Sequence, residues 1–201
     1  MTRYTQQDLA TLEEGKTYIQ SSFEGLDLSQ LQLKECKFSQ CSFEKTNLTE
    51  TQFNASTFTD CNFSNANFTQ TNLFSATFTD CKFLGVSFEK ISSLLGVTFT
   101  RCNFDYANLR AIDISGLDLS HSSFIETDLS LANLEKTSFM NSHISNCNFQ
   151  GAHFFMTDFR GATLQGLSLK HDVKGIILTE RQVLMLAEEI GITMLEEKII
   201  S

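Results

Sequence analysis

The sequence predicts an all-β solenoid: a square coil of short extended segments whose turns stack in register, closed at its C-terminal end by one short helix. Two observations carry that expectation. From Phe23 to Phe88 every fifth residue is Phe or Leu; after a slip of one residue the beat resumes, as Phe, Leu or Ile, from Phe99 to Leu169. In addition, Phe58-Thr-Asp-Cys-Asn-Phe63 returns as Phe78-Thr-Asp-Cys-Lys-Phe83, displaced by 20 residues, and Cys41, Cys61 and Cys81 keep the same interval. A period of five matches neither a helix nor a flat strand.

Each Phe, Leu or Ile of the beat is a centre, i. Position i−2 is small almost throughout, as at Cys36, Cys41, Thr46, Thr51, Ser56, Cys61 and Ala66. On extended backbone, residues two apart face the same side, so i−2 and i point inward together. The three remaining positions are mostly polar and must turn a corner. Twenty residues hold four pentapeptides, which makes the coil four-sided. Cys102 follows Cys81 by 21 residues, so the extra residue near 89–98 preserves the cysteine column. That predicts a local bulge with Leu94 as the displaced centre, rather than an extruded loop.

Such a solenoid is nearly one-dimensional and needs capped ends. Roughly seven and a half coils from Ser21 to Leu169, at ~4.8 Å each, make a rod roughly 35 Å long. Each buried Phe or Leu contributes about 1.5–3 kcal/mol, enough to hold up a rod with little other core. Phe58, Phe63, Phe78 and Phe83, with Cys41, Cys61, Cys81 and Cys102, are its predicted centre. The absence of Pro agrees, because main-chain N–H groups are needed between coils.

The predicted organisation is therefore an N-terminal cap over 1–15, the coil over 16–170, and a C-terminal helix and tail over 171–201. In the cap, Thr5 to Gly15 reads as a short helix with Thr5 as N-cap and Gly15 at C′. At the other end Thr179-Glu-Arg-Gln182 is a capping box. Val183, Leu184, Leu186, Ala187 and Ile190 then form an apolar stripe, and Gly191 stops the helix. Ile192, Met194 and Leu195 precede Glu196-Glu197-Lys198. One short helix cannot shield this much apolar surface, which predicts a homodimer through residues 183–195; capping of the last coil is the other reading.

Composition narrows the function classes. Fifteen basic against 24 acidic residues give a net charge of −9, which argues against direct nucleic-acid binding. The N-terminus has no apolar signal-peptide core, and no stretch approaches the roughly 18–20 apolar residues of a membrane span. A cytoplasmic protein is expected. All six cysteines (those above, Cys36 and Cys147) occupy i−2 and read as small buried side chains. They form a column, whereas zinc needs ligands converging on a point. His121, His143 and His153 sit at outward positions of different faces, and His171 lies beyond the last coil. No nucleotide, metal or nucleophile motif appears, so no catalytic residue, cofactor or metal is assigned. Segment 111–135 carries Asp113, Asp118, Glu126, Asp128 and Glu135 with no Lys or Arg, and Asp158 shares a face with Asp118. Two readings stand: a solvated acidic face, or a docking surface for a basic groove.

The i−2 and i pattern, with Ala66-Asn-Phe68, Ala107-Asn-Leu109 and Ala132-Asn-Leu134, resembles the A(D/N)LXX consensus of the pentapeptide repeat family. The match runs over about three quarters of the chain, and the resemblance implies a right-handed quadrilateral β-helix. Asp158-Phe-Arg-Gly-Ala-Thr-Leu-Gln-Gly166, followed by a leucine-rich helix and Ile190-Gly-Ile192, is similar to the ends of Qnr-type quinolone-resistance proteins and of microcin and albicidin immunity proteins. That similarity implies a homodimeric, DNA-mimicking rod that engages DNA gyrase or topoisomerase IV. The long loops of some Qnr-type members are missing, unless 89–98 stands in for one. The alternative is a structural or adaptor scaffold with no topoisomerase link.

Overall fold

A residue that must turn a corner every five positions adopts one repeated conformation here. The residue at i+2 has a left-handed φ near +55°, as at Gln40, Lys45, Glu50 and Ala55. The preceding centre's carbonyl accepts the i+3 amide, as Phe43 does from Thr46 at 3.1 Å. The i+2 amide is not left over at the corner: Lys45 donates to Ser64 of the next coil at 2.9 Å. Most coils repeat this wiring, the coil over 89–101 being the exception, and it offsets the local strain of a non-glycine residue at positive φ.

The computed structural model describes residues 1–166, 174–189, 191 and 192. Leu169, His171, Ile190, Met194 and Leu195 lie outside the described residues. Short strands β1 (Thr2–Arg3), β2 (Thr17–Ile19), β3 (Ser21–Ser22), β4 (Lys37–Ser39), β5 (Thr57–Thr59), β6 (Thr77–Thr79), β7 (Thr98–Thr100), β8 (Ser123–Ile125), β9 (His143–Ser145) and β10 (Thr163–Gln165) precede one helix, α1 (Glu180–Glu189). All strand pairs are parallel and in register, Phe38 against Phe58 and Phe58 against Phe78. The result is a four-sided solenoid of about eight turns with one C-terminal helix. Its faces are named here by one centre each: the Phe38, Phe43, Leu48 and Phe53 faces.

The core is a continuous column of centres. Phe58, Phe63, Phe78, Phe83, Cys41, Cys61, Cys81 and Cys102 are all buried. Rings on one face stack nearly parallel, Phe43 on Phe63 at 4.8 Å and Phe63 on Phe83 at 5.3 Å, while adjacent faces meet edge to face. The column begins one step earlier than the beat starting at Phe23 indicated, because Tyr18 stacks on Phe38 at 5.1 Å.

The i−2 residues do more than occupy small spaces. Thr46 donates its hydroxyl to the Phe23 carbonyl, Thr71 to Leu48 and Thr157 to Leu134, each at 2.8 Å. The Cys41, Cys61 and Cys81 thiols point at the corresponding carbonyls of Tyr18, Phe38 and Phe58. The inward polar position thus ties each coil to the one below.

The extra residue near 89–98 is a bulge with no extruded loop. Ser92 donates its amide to Thr71 at 3.0 Å, and Ser93 accepts from Leu73 at 3.2 Å, so two residues share the work done elsewhere by one. Leu94 takes the centre position and packs against the core.

The N-terminal cap differs from the expected helix. Asp8–Thr11 forms a single 3-10 turn whose N-cap is Gln7, not Thr5. The Thr5 amide and hydroxyl both donate to Asp8, at 2.7 and 2.6 Å, which ends the chain's extended entry without starting a full helix. Gly15 is the first corner of the coil, with its amide on the Lys34 carbonyl at 2.9 Å. The Gln6 side chain donates to and accepts from the main chain of Asp27, standing in for a missing coil.

The C-terminal helix has its capping box: the Thr179 amide donates to Gln182 Oε1 at 2.9 Å and the Gln182 amide to Thr179 Oγ1 at 3.3 Å. Gly191 and Ile192 return their amides to Glu188 and Ala187 at 3.0 and 2.9 Å, a Schellman ending.

Candidate functional site

The i−1 position carries most of the candidate acidic residues, and it has a structural duty. Its side-chain oxygen accepts the i+1 amide across the corner, as Asn47 does from Thr49 and Asn67 from Thr69. Asp113, Asp118, Asp128 and Asp158 do the same for Ser115, Ser120, Ser130 and Arg160, at 2.9–3.0 Å. One oxygen of each carboxylate is thereby held.

These residues do not converge on one patch. Asp113 stacks below Asn133 and His153 on the Phe53 face, Asp118 below Ser138 and Asp158 on the Phe38 face, and Asp128 between Asn108 and Asn148 on the Leu48 face. Glu126 sits at a corner with φ +50°. Two of the six are paired with cations. Arg160 grips Asp158 with Nη2 at 2.7 Å, and Lys136 reaches Glu135 at 2.8 Å. Among the described residues, no Lys or Arg bridges Asp113, Asp118, Glu126 or Asp128.

Hydrogen bonding and ion pairing favour the ionised form at two of these six positions. The Ser115 amide and hydroxyl hold the Asp113 carboxyl below its ordinary value, and the Arg160 guanidinium does the same for Asp158. Asp80, stacked with Asp60 at another corner, is also lowered, by the bidentate Arg101 at 2.7 and 2.8 Å. Arg101 and Arg160 as local neutralisers were missed in the sequence. Their signals were a spacing of 21 across the bulge and a spacing of two within one corner.

The interior offers no reactive chemistry. Burial pushes the Cys102 thiol up to about 12 and Cys147 up to about 11. His121, His143 and His153 are exposed. Among the described residues, no group of three or more His, Cys, Asp or Glu is placed to hold a metal ion, and no helix is long and apolar enough to cross a membrane.

At the C-terminal end Leu186 is buried within its own chain, against the last coil, and Leu184 and Ala187 are half-buried. Val183, Met185 and Ile192 are half exposed, at 52%, 54% and 50%. Met185 did not belong to the apolar stripe read from the sequence, yet it borders a hollow between β10 and α1, with Leu164 and Thr163 opposite.

Fold and surface together define a repeat solenoid whose inward positions are core and whose variable chemistry is outward. A model described as pentapeptide repeat region matches residues 16–88, 31–109 and 97–172, and the chain belongs to the pentapeptide repeat family. No curated protein sequence matches it. Among solved structures it is similar to QnrB1, a plasmid-mediated fluoroquinolone resistance protein, with TM-score 0.82, 20% identity and 95% of each chain covered. A trypsin-treated variant of QnrB1 gives 0.82 and 20%, covering 96% of this chain and 95% of that one. HetL, a pentapeptide repeat protein involved in heterocyst differentiation regulation from the cyanobacterium Nostoc sp. strain PCC 7120, gives 0.44 and 15%, covering 87% and 95%.

Proposed function

We propose that this chain is a non-enzymatic, homodimeric rod that binds DNA gyrase or topoisomerase IV through its acidic faces. It would protect the enzyme from quinolone-, albicidin- or microcin-type poisons, or modulate it. The observation that carries the reading is the set of four carboxylates, Asp113, Asp118, Glu126 and Asp128, without cationic partners among the described residues on neighbouring coils of the rod. Carboxylates presented along one rod attract a basic groove made for DNA. The likeness to QnrB1 over nearly the whole chain supports protection as the outcome.

Magnitudes limit how the mimicry works. B-DNA has one charge per ~1.7 Å, so 70 Å of duplex holds roughly 40 charges. A dimer here doubles the net charge of −9 to −18. Rod shape and local patches must therefore carry the recognition, rather than overall charge density. Val183, Met185 and Ile192, half exposed at the C-terminal end, support pairing through that end.

The second reading is an adaptor scaffold with no topoisomerase link. Its support is the scatter of the carboxylates around three faces and the neutralisation of Asp158 and Glu135. Gyrase supercoiling assays with a quinolone, albicidin or microcin separate the two. Restored or altered supercoiling on adding the purified protein supports the first reading. No change with any poison removes it.

A further inference from the structure

Among the described residues the rod is bonded on all four sides along most of its length, and on only two sides between residues 89–101 and 110–121. On the Phe43 face, bridges run unbroken from Ser22 through Ser42, Asn62, Lys82, Asn103 and Ser123. On the Leu48 face they run unbroken from Asp27 to Asn148. On the Phe53 face the ladder stops at Ser93 and restarts at Asp113. On the Phe38 face it stops at β7 and restarts at Asp118. No hydrogen bond joins residues 89–101 to residues 110–121.

The difference from a normal coil is specific. One coil below, Gln70 donates to Lys90 at 2.7 Å, Leu73 to Ser93 at 3.2 Å, Ser75 to Leu95 at 2.9 Å and Asp80 to Thr100 at 2.9 Å. Their counterparts, the amides of Lys90, Leu94, Gly96 and Arg101, have no main-chain acceptor in the coil above. Two further observations place a real separation there. A Cβ built on Gly96 would lie 3.6 Å from Ser75 Cα below it, whereas one on Gly116, the same corner one coil on, meets nothing within 4 Å. A small apolar cavity also lies between the two coils, bordered by Leu94 and Phe99 below and Ile114 and Leu119 above. The gap falls on the coil that carries the extra residue at Ser92–Ser93, which is one residue longer than the regular coils around it.

We propose that this gap is a hinge. The N-terminal and C-terminal parts of the rod pivot about the edge shared by the Phe43 and Leu48 faces, where Phe88 donates to Asn108 and Phe104 to Ser123, both at 2.8 Å. The corner at Gly96 and Gly116 opens and closes. Main-chain bonds on two sides hold the spine, while the open side is held by apolar packing alone and is the weakest point along the described coils. Asp113 and Asp118 form the upper lip, so bending re-aims them relative to the N-terminal part. The hinge does not depend on any topoisomerase partner and is tested without one.

Residue-resolved amide exchange of the intact protein is the primary measurement. The amides of Lys90, Leu94, Gly96 and Arg101 should exchange at least about tenfold faster than those of Gln70, Leu73, Ser75 and Asp80, while Phe88 and Phe104 stay protected. Spin-label distances add the motion, in a Cys147→Ser background. The pair Glu35→Cys and Lys136→Cys lies on the opening corner; Lys45→Cys and Asn146→Cys lies on the spine. Each spans five coils, or about 24 Å. A broad distribution on the corner and a narrow one on the spine is expected. Equal protection of the gap amides and their lower counterparts, or equally narrow distributions, would overturn the hinge.

Discussion

Gln182 donates its side-chain amide to the main-chain oxygen of Phe159 at 2.7 Å, and the same Nε2 lies 2.9 Å from the oxygen of Ala162. Ile177 bridges Asp158 and gives its amide to Thr157, and the Gln182 side chain carries the contact on to the carbonyls of Phe159 and Ala162. Gln6 does the equivalent work at the first coil through Asp27. Side-chain amides suit both ends because they carry donor and acceptor together.

Replacing Gln182 with Ala removes these bonds and half of the capping box. The expected cost is about 1–3 kcal/mol, concentrated at the C-terminal end. Amide exchange should accelerate around Phe159 and Ala162 while Phe43 and Phe63 stay protected. Uniform loss across the rod would contradict a local capping role.

Phe63 lies fully buried between Phe43 and Phe83. Truncating it to Ala should cost about 3–5 kcal/mol in denaturant unfolding, and Phe63→Asp should leave no folded rod. Asn62→Asp, one residue away at i−1, keeps the oxygen that accepts the Ser64 amide and should change stability little.

The contrast between those neighbours shows what could be read from the sequence. The centres, the four sides, the bulge with Leu94 and the capping box at Thr179 follow from strict spacing, because a repeat specifies its own contacts. The roles of individual outward residues do not repeat and were harder to see. Asp158 is paired with Arg160, and the Thr71 hydroxyl donates to the Leu48 carbonyl; neither contact follows from the repeat spacing. The N-terminal turn departs from the expected helix because Asp8 draws the Thr5 amide and hydroxyl to itself, a local competition that spacing does not reveal.

The thiols provide a pH-dependent check. Burial holds Cys102 protonated up to about 12 and Cys147 up to about 11. A thiol reacts as thiolate, so the native protein at pH 8.5 should label far more slowly than a free cysteine. All six should react at once in denaturant. Rapid native labelling of Cys102 would mean that the column is not sealed.

Dimerisation is best tested away from Leu186, whose burial in its own chain makes any substitution there a test of the cap. Val183→Asp with Met185→Asp changes only half-exposed side chains. Sedimentation should show wild-type dimer converted to monomer with the thermal transition retained. An unchanged dimer mass would remove this helix face from the interface.

The most direct measurement is binding of the intact chain to gyrase holoenzyme in competition with linear duplex DNA. The variant for comparison replaces Asp113, Asp118 and Asp128 with Asn and Glu126 with Gln. Asn already fills i−1 at Asn47, Asn67 and Asn133, so the corners survive while four charges go. The expected result is binding that duplex DNA displaces, that weakens with salt, and that falls at least about tenfold in the variant. No binding, or binding indifferent to DNA and to the four substitutions, would contradict an acidic rod that occupies the DNA site.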